Sequence, residues 1–127
     1  MKGSTIYEIS LDLLGLGGDG EAELSDTDDL KARALSLINI LIAENHSLDC
    51  RITKCEHSLK PIDSLDDEIE LNEILLGSVL PYGLAALLTV GEDDSLAASM
   101  HKLYERARTE ALRHGRAKAE PITEVYK

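Results

Sequence analysis

Residues 75–88 read Leu75-Leu76-Gly77-Ser78-Val79-Leu80-Pro81-Tyr82-Gly83-Leu84-Ala85-Ala86-Leu87-Leu88, the longest apolar run of the chain. We read it as a buried helix capped at Asn72. Pro81 lacks an N–H, and its ring crowds the carbonyl four residues back, that of Gly77, so the helix should kink or restart there. Beyond Tyr82, the small residues Gly83, Ala85 and Ala86 leave room for another backbone to come close. The acidic loop Gly91-Glu92-Asp93-Asp94 leads into an amphipathic partner helix capped by Asp94-Ser95. Leu96, Met100, Leu103, Tyr104, Ala107 and Ala111 form its buried stripe, and Gly115 should end it. A ligand pocket at the kink finds no support, because no cluster of polar side chains points to it.

Working back to the N-terminus, Thr5-Ile6-Tyr7-Glu8 fits a capping box, and Ile6, Ile9, Leu13 and Leu16 follow at helical spacing. Gly15, Gly17, Gly18 and Gly20 then stop the helix. They spell G-x-G-x-x-G, but a helix precedes and an acidic loop follows, so the dinucleotide fingerprint lacks its strand–turn–helix setting. A second helix begins near Asp26 and carries Leu30, Ala34, Leu37, Ile38 and Leu41 as one stripe, ending about Asn45. Leu48, Cys50 and Ile52 alternate with polar neighbours, as do residues 68–71, which reads as a short β-hairpin or two extended pieces. The fold expected is mainly α: a bundle of about four helices over residues 1–114, one kinked at Pro81, followed by an extended C-terminal arm over 115–127.

The chain of 127 residues suits one domain with a real core, built from Leu, Ile, Val and Ala because there is no Phe or Trp. Residues 1–101 hold 6 basic against 20 acidic side chains, a balance of −14, while residues 102–127 hold 7 against 4, a balance of +3. An acidic body repels nucleic acid, so sequence-specific nucleic-acid binding is not expected. Unlike ends fit either a solvated acidic face with a dipole-matched basic helix end, or subunits joined head to tail. No stretch is long and apolar enough to cross a membrane, and Met1-Lys2-Gly3-Ser4 lacks a signal-peptide core, so the expected location is cytoplasmic.

Potential metal ligands gather at His46, Cys50, Cys55 and His57. Their identities suit zinc, but H-x3-C followed by C-x-H fits no usual zinc pattern, and the expectation is reduced cysteines with no metal and no cofactor. A disulfide is disfavoured as well: five extended residues span about 16 Å, and a bridge needs Cα atoms within about 7 Å. Residues 63, 66, 67, 68 and 70 are acidic without the order of a calcium loop. With no nucleophile–base pair and no phosphate loop, catalysis is not expected and no catalytic residues are assigned.

Three stretches carry a resemblance: residues 61–71 (Pro-Ile-Asp-Ser-Leu-Asp-Asp-Glu-Ile-Glu-Leu), residues 79–88 with Pro81-Tyr82-Gly83, and the later helix with Asp94-Ser95-Leu96-Ala97 and Tyr104-Glu105. Together they resemble the head–tail connector (neck or adaptor) proteins of tailed bacteriophages and of prophages in Gram-positive bacteria. The C-terminal Pro121-Ile122-Thr123-Glu124-Val125-Tyr126 is similar to the docking tails of such proteins. The resemblance covers about half the chain. It implies a non-enzymatic subunit of a ring that joins portal to tail, a homo-oligomer when assembled, moving from the host cytoplasm to the virion neck; the weakness of exposed ion pairs allows a monomer in isolation. Its partners would be portal and tail-completion proteins. The competing class is a small acidic cytoplasmic protein that masks a basic partner.

Overall fold

The computed structural model describes residues 1–15 and 27–119, with side chains for 1–15 and 30–114. Among these residues four α-helices and one π-helical turn make a small bundle: α1 (Gly3–Leu13), α2 (Thr27–Thr53), the π turn (Leu75–Val79), α3 (Leu80–Thr89) and α4 (Asp94–Ala119). The mainly helical expectation holds. Ile6, Ile38, Leu75, Val79, Leu80 and Leu84 are wholly excluded from solvent. Each large aliphatic side chain so buried contributes about 1.5–3 kcal/mol, which is how a core without Phe or Trp holds.

The first helix does not use the Thr5–Glu8 capping box. It begins three residues earlier, with Lys2 as N-cap and no side-chain cap bond. The reason is tertiary: the N–H groups of Gly3 and Ser4 donate to the carbonyls of Asp67 (3.2 Å) and Leu65 (2.8 Å), so the later loop caps the helix. Glycine at position 3 eases this approach, since a Cβ would stand 2.9 Å from Ile62 Cδ1 and 3.3 Å from Leu65 Cα. One isolated antiparallel bridge pairs Lys2 with Glu68. The Met1 ammonium donates to Glu68 Oε1 at 2.7 Å, and this hydrogen bond holds the Glu68 carboxyl below its ordinary range.

The second helix runs to Thr53, eight residues past its expected end, and residues 48–52 are helix rather than strand. Leu41, Ile42, Asn45, Leu48, Asp49 and Ile52 are all buried and recur every three or four residues. Two polar members, Asn45 and Asp49, break the apolar stripe and leave Leu48, Cys50 and Ile52 looking like a period-2 strand. Lys54, at φ 57°, takes the left-handed conformation that closes a helix C-terminus. Residues 55–72 then cross the bundle without the expected hairpin; the bridge at Glu68 is the β-pairing among the described residues. Asn39 clamps this segment from α2, donating from Nδ2 to Ile62 O (2.9 Å) and accepting Ile62 N–H at Oδ1 (2.8 Å).

Asn72 is the expected cap, its Oδ1 accepting the Ile74 N–H at 2.9 Å. The proline problem is solved by widening the helix. Leu80 N–H reaches back five residues to Leu75 O, and α3 restarts with Pro81 in its first turn, where no N–H is needed. At the next corner Asp93, not the expected Asp94-Ser95 pair, caps α4: its Oδ1 accepts Leu96 N–H at 3.0 Å, while Asp94 accepts from Gly91. The last helix continues through Gly115 to Ala119, so the first five residues assigned to an extended arm are helical. No helix among the described residues is long and apolar enough to cross a membrane.

Candidate functional site

The hairpin of α3 and α4 brings together the two halves of the sequence motif. Gly83 is buried against Tyr104: a Cβ at Gly83 would lie 2.8 Å from Tyr104 Cε1 and 2.8 Å from Leu41 Cδ2. The close approach expected at Gly83 is real, but it is made to side chains rather than to a backbone. Ala86 is buried beside Met100 in the same hairpin. Gly77 has open space where its Cβ would be, so it packs against nothing and belongs to the site only through the π turn.

Tyr104 anchors a polar network on the far side of that contact. Its hydroxyl donates to Glu44 Oε1 and accepts from Asn45 Nδ2 at 2.9 Å. Asn45 Oδ1 in turn accepts Arg108 Nε–H at 2.9 Å, and the Arg108 guanidinium stands 5.7 Å from the centre of the Tyr104 ring. Burial first, and the hydrogen bond to Glu44 second, push the Tyr104 phenol well above its ordinary value of 10.0. Every member is bonded to another member, so the network locks α2 to α4 and offers no free nucleophile or base.

On the opposite side of the hairpin the π turn borders an open groove of about 630 Å³. Ile74, Gly77, Tyr82, Leu103 and Ala107 line it, and Arg106, Glu110 and His114 of α4 add polar groups. Ile74, Tyr82, Leu103 and Ala107 are only half-buried. The sequence pointed away from a pocket here because its polar lining comes from α4, some thirty residues from the kink. The groove is lined mainly by apolar atoms, with Arg106, Glu110 and His114 adding charged and polar groups. The proposed docking residues Pro121, Ile122, Val125 and Tyr126 lie outside the described residues.

The His/Cys group is reorganised by the longer α2. His46 and Cys50 are four residues apart on a helix, not along a strand, and so share one face. His46 Nε2 and Cys50 Sγ are 3.8 Å apart. Lys54 reverses the chain and returns His57 over the helix, its ring edge-on to His46 with centroids 5.0 Å apart. Potential ligand atoms of His46, Cys50 and His57 lie within 4.8 Å of one another. Cys55 is exposed and outside that group, and both cysteines are free thiols. Asp49, unremarked in the sequence, is the organising residue. Its side chain is 3% exposed; Oδ2 accepts His57 Nε2–H at 2.6 Å and Oδ1 accepts Asn72 N–H at 2.7 Å. A helical reading of 46–53 would have found it, since positions 46, 49 and 50 fall on one face.

Comparison with protein-family models, with curated proteins and with solved structures finds no match to this chain.

Proposed function

We propose that this chain is a non-enzymatic subunit of the head–tail connector of a tailed bacteriophage or prophage, sitting between the portal ring and the tail-completion proteins. The observation that carries the reading is the seat of Tyr104 on Gly83. Pro81-Tyr82-Gly83 and Tyr104-Glu105 are the residues of the resemblance, and they form one packed hairpin rather than two unrelated likenesses. The third stretch, residues 61–71, caps α1 and is clamped by Asn39, so all three belong to one bundle.

The groove beside the π turn supports an assembling role. It is a largely apolar face that the described residues leave open, and the sequence beyond Ala119 carries Ile122, Val125 and Tyr126 as an apolar tip. In this reading the arm of one subunit lies in the groove of the next, a head-to-tail contact that closes into a ring when the rotation per subunit allows. The balance of −14 over residues 1–101 suits a channel wall past which DNA moves without sticking. The subunit would be made in the host cytoplasm and finish in the virion neck.

The test is reconstitution with a phage portal protein, whose gene this reading expects beside this one. Native mass spectrometry and negative-stain microscopy should show several copies added as a ring to the portal end. A chain that ignores the portal and instead forms a one-to-one complex with a cationic host protein would replace this reading by that of an acidic masking protein.

A further inference from the structure

We propose that His46, Cys50 and His57 form a binding site for a zinc-type divalent cation, with Asp49 as the residue that orients His57. One thiolate and two imidazoles are the donor set that zinc prefers, and the fourth position of the tetrahedron is left to water. The inference is independent of the connector reading. It also reverses the expectation drawn from the ligand spacing in the sequence.

Three features carry it. First, the pair His46–Cys50 is spaced by one helical turn, which holds two ligands on one rigid face. Its 3.8 Å separation is close to the ~3.6 Å that metal–nitrogen and metal–sulfur bonds of about 2.0 and 2.3 Å give in a tetrahedron. Second, the widest separation in the group is 4.8 Å, so the set has to contract by about 1 Å, and the element that has to move is the half-exposed loop residue His57. Third, a buried carboxylate already holds the outer nitrogen of that histidine. With Asp49 Oδ2 at 2.6 Å from Nε2, the carboxylate keeps the proton on Nε2 and leaves Nδ1 as the nitrogen open to a metal, the carboxylate–histidine arrangement that orients metal-binding imidazoles.

Binding exchanges existing contacts for metal bonds. His46 Nε2 leaves the His57 carbonyl at 2.7 Å as its proton moves to Nδ1, and the lone pair of His57 Nδ1 turns from the Ser58 carbonyl, 3.3 Å away, toward the metal. The Cys50 thiol loses its proton to solvent as the sulfur–metal bond forms, so affinity rises with pH and one proton is released per cation from the cysteine. The loop carrying residues 55–58 would be drawn onto α2.

The probe is cobalt(II), added to the full-length, reduced, chelator-treated protein and then displaced with zinc. One equivalent should produce a thiolate-to-cobalt charge-transfer band and the intense visible bands of tetrahedral cobalt, both erased by one equivalent of zinc. Cys50→Ser should abolish the charge-transfer band, while Cys55→Ser should keep it. Asp49→Asn, checked for folding by circular dichroism, should weaken binding about 10- to 100-fold. Absence of the charge-transfer band at stoichiometric cobalt overturns the site. So does a band that survives in Cys50→Ser or vanishes in Cys55→Ser.

Discussion

Tyr104 Cε1 occupies the space that a side chain on Gly83 would need, 2.8 Å from the ideal Cβ position. The ring cannot yield cheaply, because its hydroxyl is held by Glu44 and Asn45 on α2. The packing of α3 on α4 and the tie of α4 to α2 are therefore one arrangement. Gly83→Ala should destabilise the protein by about 1–3 kcal/mol despite alanine's better helix propensity, and Gly83→Leu by more. Gly77→Ala is the opposite case: open space surrounds it, and the change should stabilise by about 0.5–1 kcal/mol. Urea denaturation midpoints of the two alanine variants should move in opposite directions. A common direction would contradict the packing described.

The two buried tyrosines should respond differently to loss of their hydroxyls. Tyr104→Phe leaves Asn45 and Glu44 without their partner and should cost about 1–2 kcal/mol. Among the described residues the Tyr7 hydroxyl is buried with no hydrogen-bond partner. Tyr7→Phe should therefore be neutral or stabilising in thermal unfolding.

Alkaline pH should test the same contrast. Burial raises the Tyr104 pKa, so above pH 10.0 the unfolded chain ionises while the folded one keeps its proton. The folded state then binds more protons, and stability falls as pH rises. The contribution is fully present below pH 10.0 and is lost as pH climbs toward the folded value. The stability gap between wild type and Tyr104→Phe should accordingly narrow above pH 10.0. A gap that widens would mean the phenol is not buried as a neutral group.

Asp49 should behave as a structural hub whether or not metal is present. Asp49→Ala strands the His57 ring and the Asn72 N–H, and should cost about 1–3 kcal/mol. Asp49→Asn keeps an acceptor for Asn72 and should cost less. Equal unfolding midpoints for the two variants would show that the Asn72 bond contributes nothing.

Assembly should be weak for the isolated chain, stronger at low salt, and reduced by deleting residues 120–127, since exposed charge pairs contribute little singly and are screened. Sedimentation of full-length and truncated chains with the portal protein reads this out. Equal incorporation of the truncated chain would remove the arm from the docking model.

The helices were legible where their apolar stripes were unbroken. Residues 75–88 and the stripe from Leu96 to Ala111 stand out because no charged residue interrupts them, and Asn72 announced its cap. The second half of α2 was hidden by Asn45 and Asp49, two polar residues buried because they bind Tyr104, Arg108, His57 and Asn72. Such partners lie up to 63 positions away, and local pattern cannot supply them. The same misreading stretched His46 and Cys50 along a strand and concealed their shared face. The start of α1 was missed for a related reason: its cap is a carbonyl pair from residues 65 and 67, which no local motif encodes.

The π turn also bears on what insertions and deletions this gene tolerates. A five-residue turn holds one residue more than the α-helical turn it replaces, so the helix on either side would keep its facing if that residue were removed. Removing Gly77 alone should fail, because the tightened turn would press a carbonyl into the Pro81 ring. Removing Gly77 together with Pro81→Ala should succeed, leaving an unbroken helix from Glu73 to Thr89 with its buried face intact. A lineage that keeps the proline should therefore keep the extra residue, whereas one that has lost the proline is free to lose the extra residue too.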